Sequence, residues 1–350
     1  MLPYGIVRFH DATADLRDIP LGTVLHVRAF LPPDPTISAV PVLPINNKDR
    51  DANHNRGAGI FPAENHVLLL EDEPSSCQRE GKVWKLLELE IKNNQGMIVA
   101  RRESKGGEDA GVEIEEETMT FDAGTRIWRG RELLEIQDLI AENAWPASGM
   151  KSLNDQAVLL GITWRPTPGT VFTRFHISDI WLDDDAMQRA ARRQNEIHKA
   201  LIRSRWMPAR VDAVDYGKFG GATVTATLFG GMDKSLYADF RKGRPVMMAP
   251  SENTLKHWAG GSAGTSQIAA KGALLDVITQ EEGEVPLGSS GIRIRFETDL
   301  ITEGIRPERV VRVRPASWPD VHVPREEYIQ HTRDDLEIRF PTPDIFPKYR

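Results

Sequence analysis

One stretch, residues 183–215, constrains this chain most, because it carries a long helical pattern in a sequence otherwise made of short alternating runs. At 3.6 residues per turn, Met187, Ala190, Ile197 and Leu201, with Gln194 among them, fall along one stripe. Arg189, Arg192, Arg193, Lys199 and Arg203 fall on the opposite face. Asp183, Asp184 and Asp185 stand where such a helix starts, suited to cap its free N–H groups and oppose its dipole, and arginines crowd its last turn. Trp206, Met207 and Pro208 end it, since the residue before a proline is pushed out of the helical region. The spacing therefore predicts an amphipathic basic helix over 184–206. Between 189 and 210 the basic residues Arg189, Arg192, Arg193, Lys199, Arg203, Arg205 and Arg210 face Glu196 as the one acid. A core helix with a solvated outer face accounts for that imbalance, and so does a surface that contacts phosphates.

Around this helix the patterns are those of strands. Residues 5–10, 23–30 and 66–70 read as short strands, and 82–92 alternates with Val83, Leu87, Leu89 and Ile91 on one face. Asn93, Asn94, Gln95 and Gly96 supply a turn into a partner strand at 97–101, which predicts a hairpin. Residues 112–121 read as a further strand and 131–144 as a helix with Leu133, Ile136 and Ile140 inward. The run 145–149 then suggests a boundary between a β-rich domain, 1–150, and a second domain, 151–350. In the second, strands are expected at 157–164, 170–177, 209–215, 222–229, 244–249, 253–258, 292–297, 309–314 and 336–340, and a short helix at 233–240. The fold class expected is α+β, strand-rich, the second domain being compatible with an OB-like small β-barrel. Residues 46–59 are almost wholly polar and read as a surface loop.

Composition removes several classes. With 44 Lys and Arg against 51 Asp and Glu, the net charge is −7, so nucleic acid would have to be held by local patches rather than by bulk charge. The lone Cys77 excludes an internal disulfide framework and a zinc site built on paired cysteines. No stretch approaches the length of apolar residues that a bilayer requires, so no membrane span and a cytoplasmic location are expected.

Few motifs carry chemistry. Gly260, Gly261, Ser262, Ala263 and Gly264 match the pattern of a nucleophile elbow, with Asp320, His322 and His331 downstream in the required order, but Lys256, His257 and Trp258 replace the apolar strand that should precede it. Asp49, Asp51 and Asn53 alternate as in a calcium loop, yet His54 and Ile60 stand where Gly and Glu are needed. No cofactor and no metal is implied. What remains is positive charge beside aromatic residues: the basic helix followed by Trp206, Tyr216 and Phe219; Arg126, Trp128, Arg129 and Arg131; and the strand pairs Arg293 with Arg295 and Arg312 with Arg314. Cations that follow a backbone and aromatic faces that stack on bases are what single-stranded nucleic acid needs. The leading expectation is a non-enzymatic nucleic-acid-binding or accessory protein within a larger assembly. It would contact phosphates through Arg189, Arg192, Arg193, Lys199, Arg203, Arg293, Arg295, Arg312 and Arg314, and stack through Trp206, Tyr216 and Phe219. The alternatives are a scaffold that holds a protein partner and a serine hydrolase using Ser262.

Overall fold

The structure is a computed structural model that describes residues 5–30, 66–105, 116–167, 169–249, 269–281, 285, 288–301 and 305–318. Two compact units divide the chain, one built from Val7–Val27 and Leu69–His198, the other from Lys199–Arg350 together with Met1–Ile6 and Arg28–Leu68. The run 145–149, read from sequence as a boundary, lies inside the first of these. The loop expected at 46–59, the strands expected at 253–258 and 336–340 and the motif at 260–264, with Ser262, Asp320, His322 and His331, lie outside the described residues.

The chain opens with β1 (Ile6–Phe9), β2 (Ala12–Thr13) and β3 (Leu25–Phe30), which join β4 (His66–Asp72) in a sheet of order β2-β1-β4-β3. Helix α1 (Glu73–Glu80) follows directly, capped by Asp72, with Pro74 in its first turn and Gly81 ending it in the left-handed region at φ 66°. This helix is not marked in the sequence pattern, because its only apolar side chains are Pro74 and Cys77 and they form no stripe.

A seven-stranded sheet comes next: β5 (Lys82–Lys92), β6 (Gln95–Ser104), β7 (Glu116–Phe121), β8 (Arg126–Arg129), β9 (Glu132–Leu134), β10 (Gly149–Pro166) and β11 (Thr173–Trp181), in the order β10-β5-β6-β7-β11-β8-β9. The β5–β6 hairpin turns on Asn93 and Asn94, both at positive φ (55° and 58°), as a two-residue primed turn requires. A register shift between Leu86 and Glu88 changes which side chains of β5 face inward: Trp84 and Leu86 are buried before it, Leu89 and Ile91 after it. Leu87, expected on the inner face, is therefore only half-buried. The helix expected over 131–144 is a second correction. Gly130 and Arg131 make a turn into β9, and only α2 (Ile136–Ala141) is helical, with Ile136 and Leu139 inward.

Helix α3 (Asp184–Arg205) bears out the predicted basic helix, and Trp206 leaves it in the left-handed region at φ 64°. Its buried stripe is rotated from the expected one. Ala186, Met187, Gln194, His198, Ile202 and Arg205 are buried, whereas Ile197 is 45% exposed.

The second unit contains a closed antiparallel barrel of β12 (Met207–Tyr216), β13 (Ala222–Phe229), β14 (Pro245–Ala249), β15 (Ala270–Thr279), β16 (Ser289–Thr298) and β17 (Val310–Pro315), in the order β12-β13-β16-β15-β14-β17, with α4 (Lys234–Ala238) between β13 and β14. Alternation does the sorting: Val224, Ala226, Leu228, Ile294, Phe296, Val311 and Val313 fill the interior, each buried. The fold is thus strand-rich α+β with a small barrel, as the alternations predict. The barrel closes on six strands, where the oligonucleotide-binding kind has five. No described helix is long and apolar enough to cross a membrane.

Candidate functional site

The site is built on the pairing of β11 with β8, which is parallel and sets Asp179 beside Arg126, Ile180 beside Ile127, and Trp181 beside Trp128. Side chains alternate across a strand, so Ile127 and Ile180 turn into the core and are fully buried. Their neighbours Arg126, Trp128, Asp179 and Trp181 turn the other way and line a cavity of about 420 Å³. Asp179 organises this wall: one carboxylate oxygen accepts from Arg126 Nη2 at 2.7 Å and the other from Trp128 Nε1 at 3.0 Å.

Helix α3 makes the second wall through Ala186, Arg189, Ala190, Arg193, Gln194 and Ile197. What brings it there is its cap. Asp183 accepts from the backbone N–H of Ala186 through Oδ1 and from that of Gly130 through Oδ2, both at 2.8 Å. A single side chain thus caps the helix and fastens the β8–β9 turn, with Arg131, against the helix start. Gln194, buried in spite of its polarity, donates to Asp18 at 2.9 Å.

The third wall is the β1–β2 turn. His10 and Asp11 both have positive φ (53° and 58°), and their N–H groups are held by Asp72 at 2.9 Å and by the Ser75 hydroxyl at 2.8 Å. The N-terminus of α1 therefore positions His10, whose ring stacks on Phe9 at 3.8 Å and meets Trp181 edge-on at 5.2 Å. Burial brings the His10 imidazole down to about 4; Asp179 opposes that shift, and Arg126 and Arg193 add to it. His10 is accordingly neutral at pH 7. Burial also raises the Asp72 carboxyl to about 6, against the hydrogen bonds from Ser75 and His10.

Four guanidinium groups line this cavity, and their states differ. Arg126 is bound to Asp179, and Arg189 to Asp185 at 3.0 Å. Arg131 and Arg193 have no carboxylate within 4.0 Å among the described residues. Two cations therefore face a partly aromatic cavity with no close carboxylate among the described residues to compensate their charge, a combination suited to an anionic ligand that also carries a flat face.

Comparison with family models, curated proteins and solved structures finds no match for this chain.

Of the residues singled out in the sequence, Arg189 and Arg193 reach the cavity together with Arg126, Trp128 and Arg131, so two of the three basic clusters meet. Arg192 is exposed and 3.9 Å from Asp185, outside the lining. Lys199 and Arg203 lie further along α3, in the part assigned to the barrel unit, and Arg203 pairs with Asp239 at 3.7 Å. Trp206 is fully buried beneath the Arg314 guanidinium, 5.1 Å from the ring centroid, so its ring has no face open to a base. Arg314 is itself buried, donating to the Trp318 carbonyl at 2.9 Å and to Met247 Sδ at 3.3 Å. Arg312 donates to the Trp206 carbonyl at 3.4 Å, and Arg293 lies 3.3 Å from Asp212. Arg295 is exposed on the outside of the barrel, and Tyr216 and Phe219 are 69% and 101% exposed.

Sequence reasoning missed His10, Asp179 and Trp181. A signal existed for Asp179: an acid between Ile177, Ile180 and Trp181 in an apolar strand must be satisfied by a specific partner if buried. His10 carried no such mark. Among the described residues no His, Cys, Asp and Glu group of three or more could hold a metal ion. Cys77 is buried, its thiol donating to Glu73 at 3.1 Å, and burial pushes that thiol far above its ordinary range.

Proposed function

We propose that this chain is a non-enzymatic nucleic-acid-binding or accessory protein, a cytoplasmic component of a larger assembly, that holds single-stranded nucleic acid at the cleft between β8, β11 and α3. Arg131 and Arg193 take backbone phosphates, Arg189 and the exposed Arg192 extend the path along the helix, and the partly exposed Trp128 offers a ring to a base. One observation supports this reading above the others. Two basic segments some sixty residues apart, 126–131 and 189–193, converge on one cavity, where Arg131 and Arg193 have no close carboxylate among the described residues. On the barrel, Arg295, Tyr216 and Phe219 are accessible for further contacts, whereas Trp206 and Arg314 are not part of the proposal because they are buried.

The test is binding of labelled single-stranded DNA and RNA across a salt series, beside an Arg131→Glu/Arg193→Glu variant. For a single strand, log affinity is expected to fall with log salt by roughly 0.7 per neutralised phosphate, so removing two contacts lowers the slope by about 1.4. Affinity indifferent to salt, or a folded variant that binds as the parent does, rejects the cleft as the binding face.

One observation favours the scaffold reading instead. Val171 and Phe172, adjacent between β10 and β11, are 94% and 71% exposed, an apolar pair that a protein partner would cover. Absence of any oligonucleotide binding at low salt, with a protein partner lost on changing Val171 and Phe172 to Ser, decides for that reading.

A further inference from the structure

A second cavity, of about 450 Å³, lies on the same seven-stranded sheet at the ends of the β5–β6 and β10–β11 hairpins; it takes Arg174 and His176 from the first half of β11, where the cleft takes Asp179 and Trp181 from its end. Its floor is His176, 3% exposed. Thr120 Oγ1 donates to the Phe175 carbonyl at 3.2 Å and lies 3.1 Å from His176 Nδ1. When its one proton goes to the carbonyl, the hydroxyl oxygen accepts from Nδ1–H. The neutral ring in that tautomer carries a bare lone pair on Nε2. That atom is buried and has no hydrogen-bond partner among the described residues.

Asp122 Oδ1 stands 3.8 Å from Nε2. Burial, joined by Arg165 and Arg174, brings the His176 imidazole down to about 4 against the pull of Asp122, so at neutral pH the ring is neutral and the Nδ1–H tautomer sets two acceptors facing one another. Two acceptors at that separation call for donors between them. The remaining oxygen of Asp122 is taken by Arg165 at 2.5 Å, and Oδ1 also accepts from the Gly124 N–H at 2.8 Å, which leaves it capacity for one more donor. Lys92 and Arg174 line the same cavity, both exposed and with no carboxylate within 4.0 Å among the described residues; Glu90 is the other acid of the lining.

We propose that this cavity binds a sugar phosphate, the neighbouring hydroxyls of a vicinal diol donating to His176 Nε2 and Asp122 Oδ1 while Lys92 and Arg174 take the phosphate. The site shares no lining residue with the cleft and does not rest on the nucleic-acid reading. A free carboxylic or phosphate anion alone satisfies the cations and leaves the two acceptors unpaired, and a neutral sugar does the reverse. A ligand with both groups answers both halves of the lining at once.

The experiment titrates the full chain with ribose 5-phosphate, 2-deoxyribose 5-phosphate and inorganic phosphate, following affinity by calorimetry and the imidazole nitrogens by NMR, with the His176 signal assigned by its loss in His176→Asn. Ribose 5-phosphate is expected to bind at least about tenfold more tightly than the deoxy sugar or phosphate, a difference of about 1.4 kcal/mol, and to move the Nε2 resonance of His176. Arg174→Ala or Lys92→Ala, both at exposed positions, is expected to weaken it about tenfold without changing the fold. Equal affinity for the ribose and deoxyribose phosphates, saturation that leaves the His176 resonance in place, or no binding at millimolar concentration overturns the proposal.

Discussion

At the scale of the residue, carboxylates that use both oxygens tie separate elements together. Asp183 caps α3 at Ala186 with one and holds the Gly130 N–H with the other. Asp183→Ala is therefore expected to cost about 1–2 kcal/mol of stability, the range for losing a helix cap, and also to loosen Arg131 from the helix start. Chemical denaturation and oligonucleotide affinity check the two halves, and Asp183→Asn, with one acceptor oxygen in place of two, should fall between parent and Ala. The capping role was legible in the sequence, because three aspartates precede an amphipathic run. The second role was not, since its donor is a backbone N–H fifty-three positions away that no side-chain pattern marks. Burial of Trp206 and Arg314 escaped for a related reason. Alternation tells which face of β17 leaves the barrel interior, but not that Trp206, Met247 and the Trp318 carbonyl cover Arg314 there.

At the scale of the element, legibility follows periodicity. The β5–β6 hairpin and α3 announce themselves by period and turn chemistry, and both form where expected. Helix α1 has its cap, its early proline and its terminal glycine in the sequence, yet lacks the apolar stripe on which a helix is usually recognised. The single helix expected over 131–144 failed because Leu133, read as part of its stripe, belongs to β9 and is 54% exposed. Close approach within the hairpin gives a sharp test. A Cβ on Gly96 would stand 1.8 Å from the Glu90 carbonyl oxygen and 2.9 Å from the Phe121 ring. Gly96→Ala must therefore displace a strand, at an expected cost of about 1–3 kcal/mol, the range for overpacking. Thermal denaturation of that variant, beside the conformationally tolerant Asn94→Gly, separates steric overlap from a general weakness of the turn.

At the scale of the whole molecule, buried titrating groups set how stability varies with acidity. His10 and His176 both fall from an ordinary 6.5 to about 4, so between those values the unfolded chain binds protons that the folded one refuses. Their contribution is complete above pH 6.5 and is lost as pH falls toward 4. Asp72, raised from 3.8 to about 6, acts the other way, favouring the fold as it gains its proton over nearly the same interval. Two histidines outweigh one aspartate, and the depressed carboxyls of Glu73 and Asp122 add to the loss at the acid end. The midpoint of urea denaturation is thus expected to fall between pH 7 and pH 4.5, and to fall less in His10→Asn, whose side chain tolerates the left-handed turn. A midpoint independent of pH in that window contradicts the burial of these rings. The barrel carries a different consequence, one of timing during synthesis. Strand β17 pairs with both β12 and β14, so the first strand made waits for the last before the ring can shut. Until Pro315 has left the ribosome, a nascent chain holds two unpaired strand edges open to any neighbour, and a message cut short before Val310 yields a polypeptide destined for chaperones or aggregates.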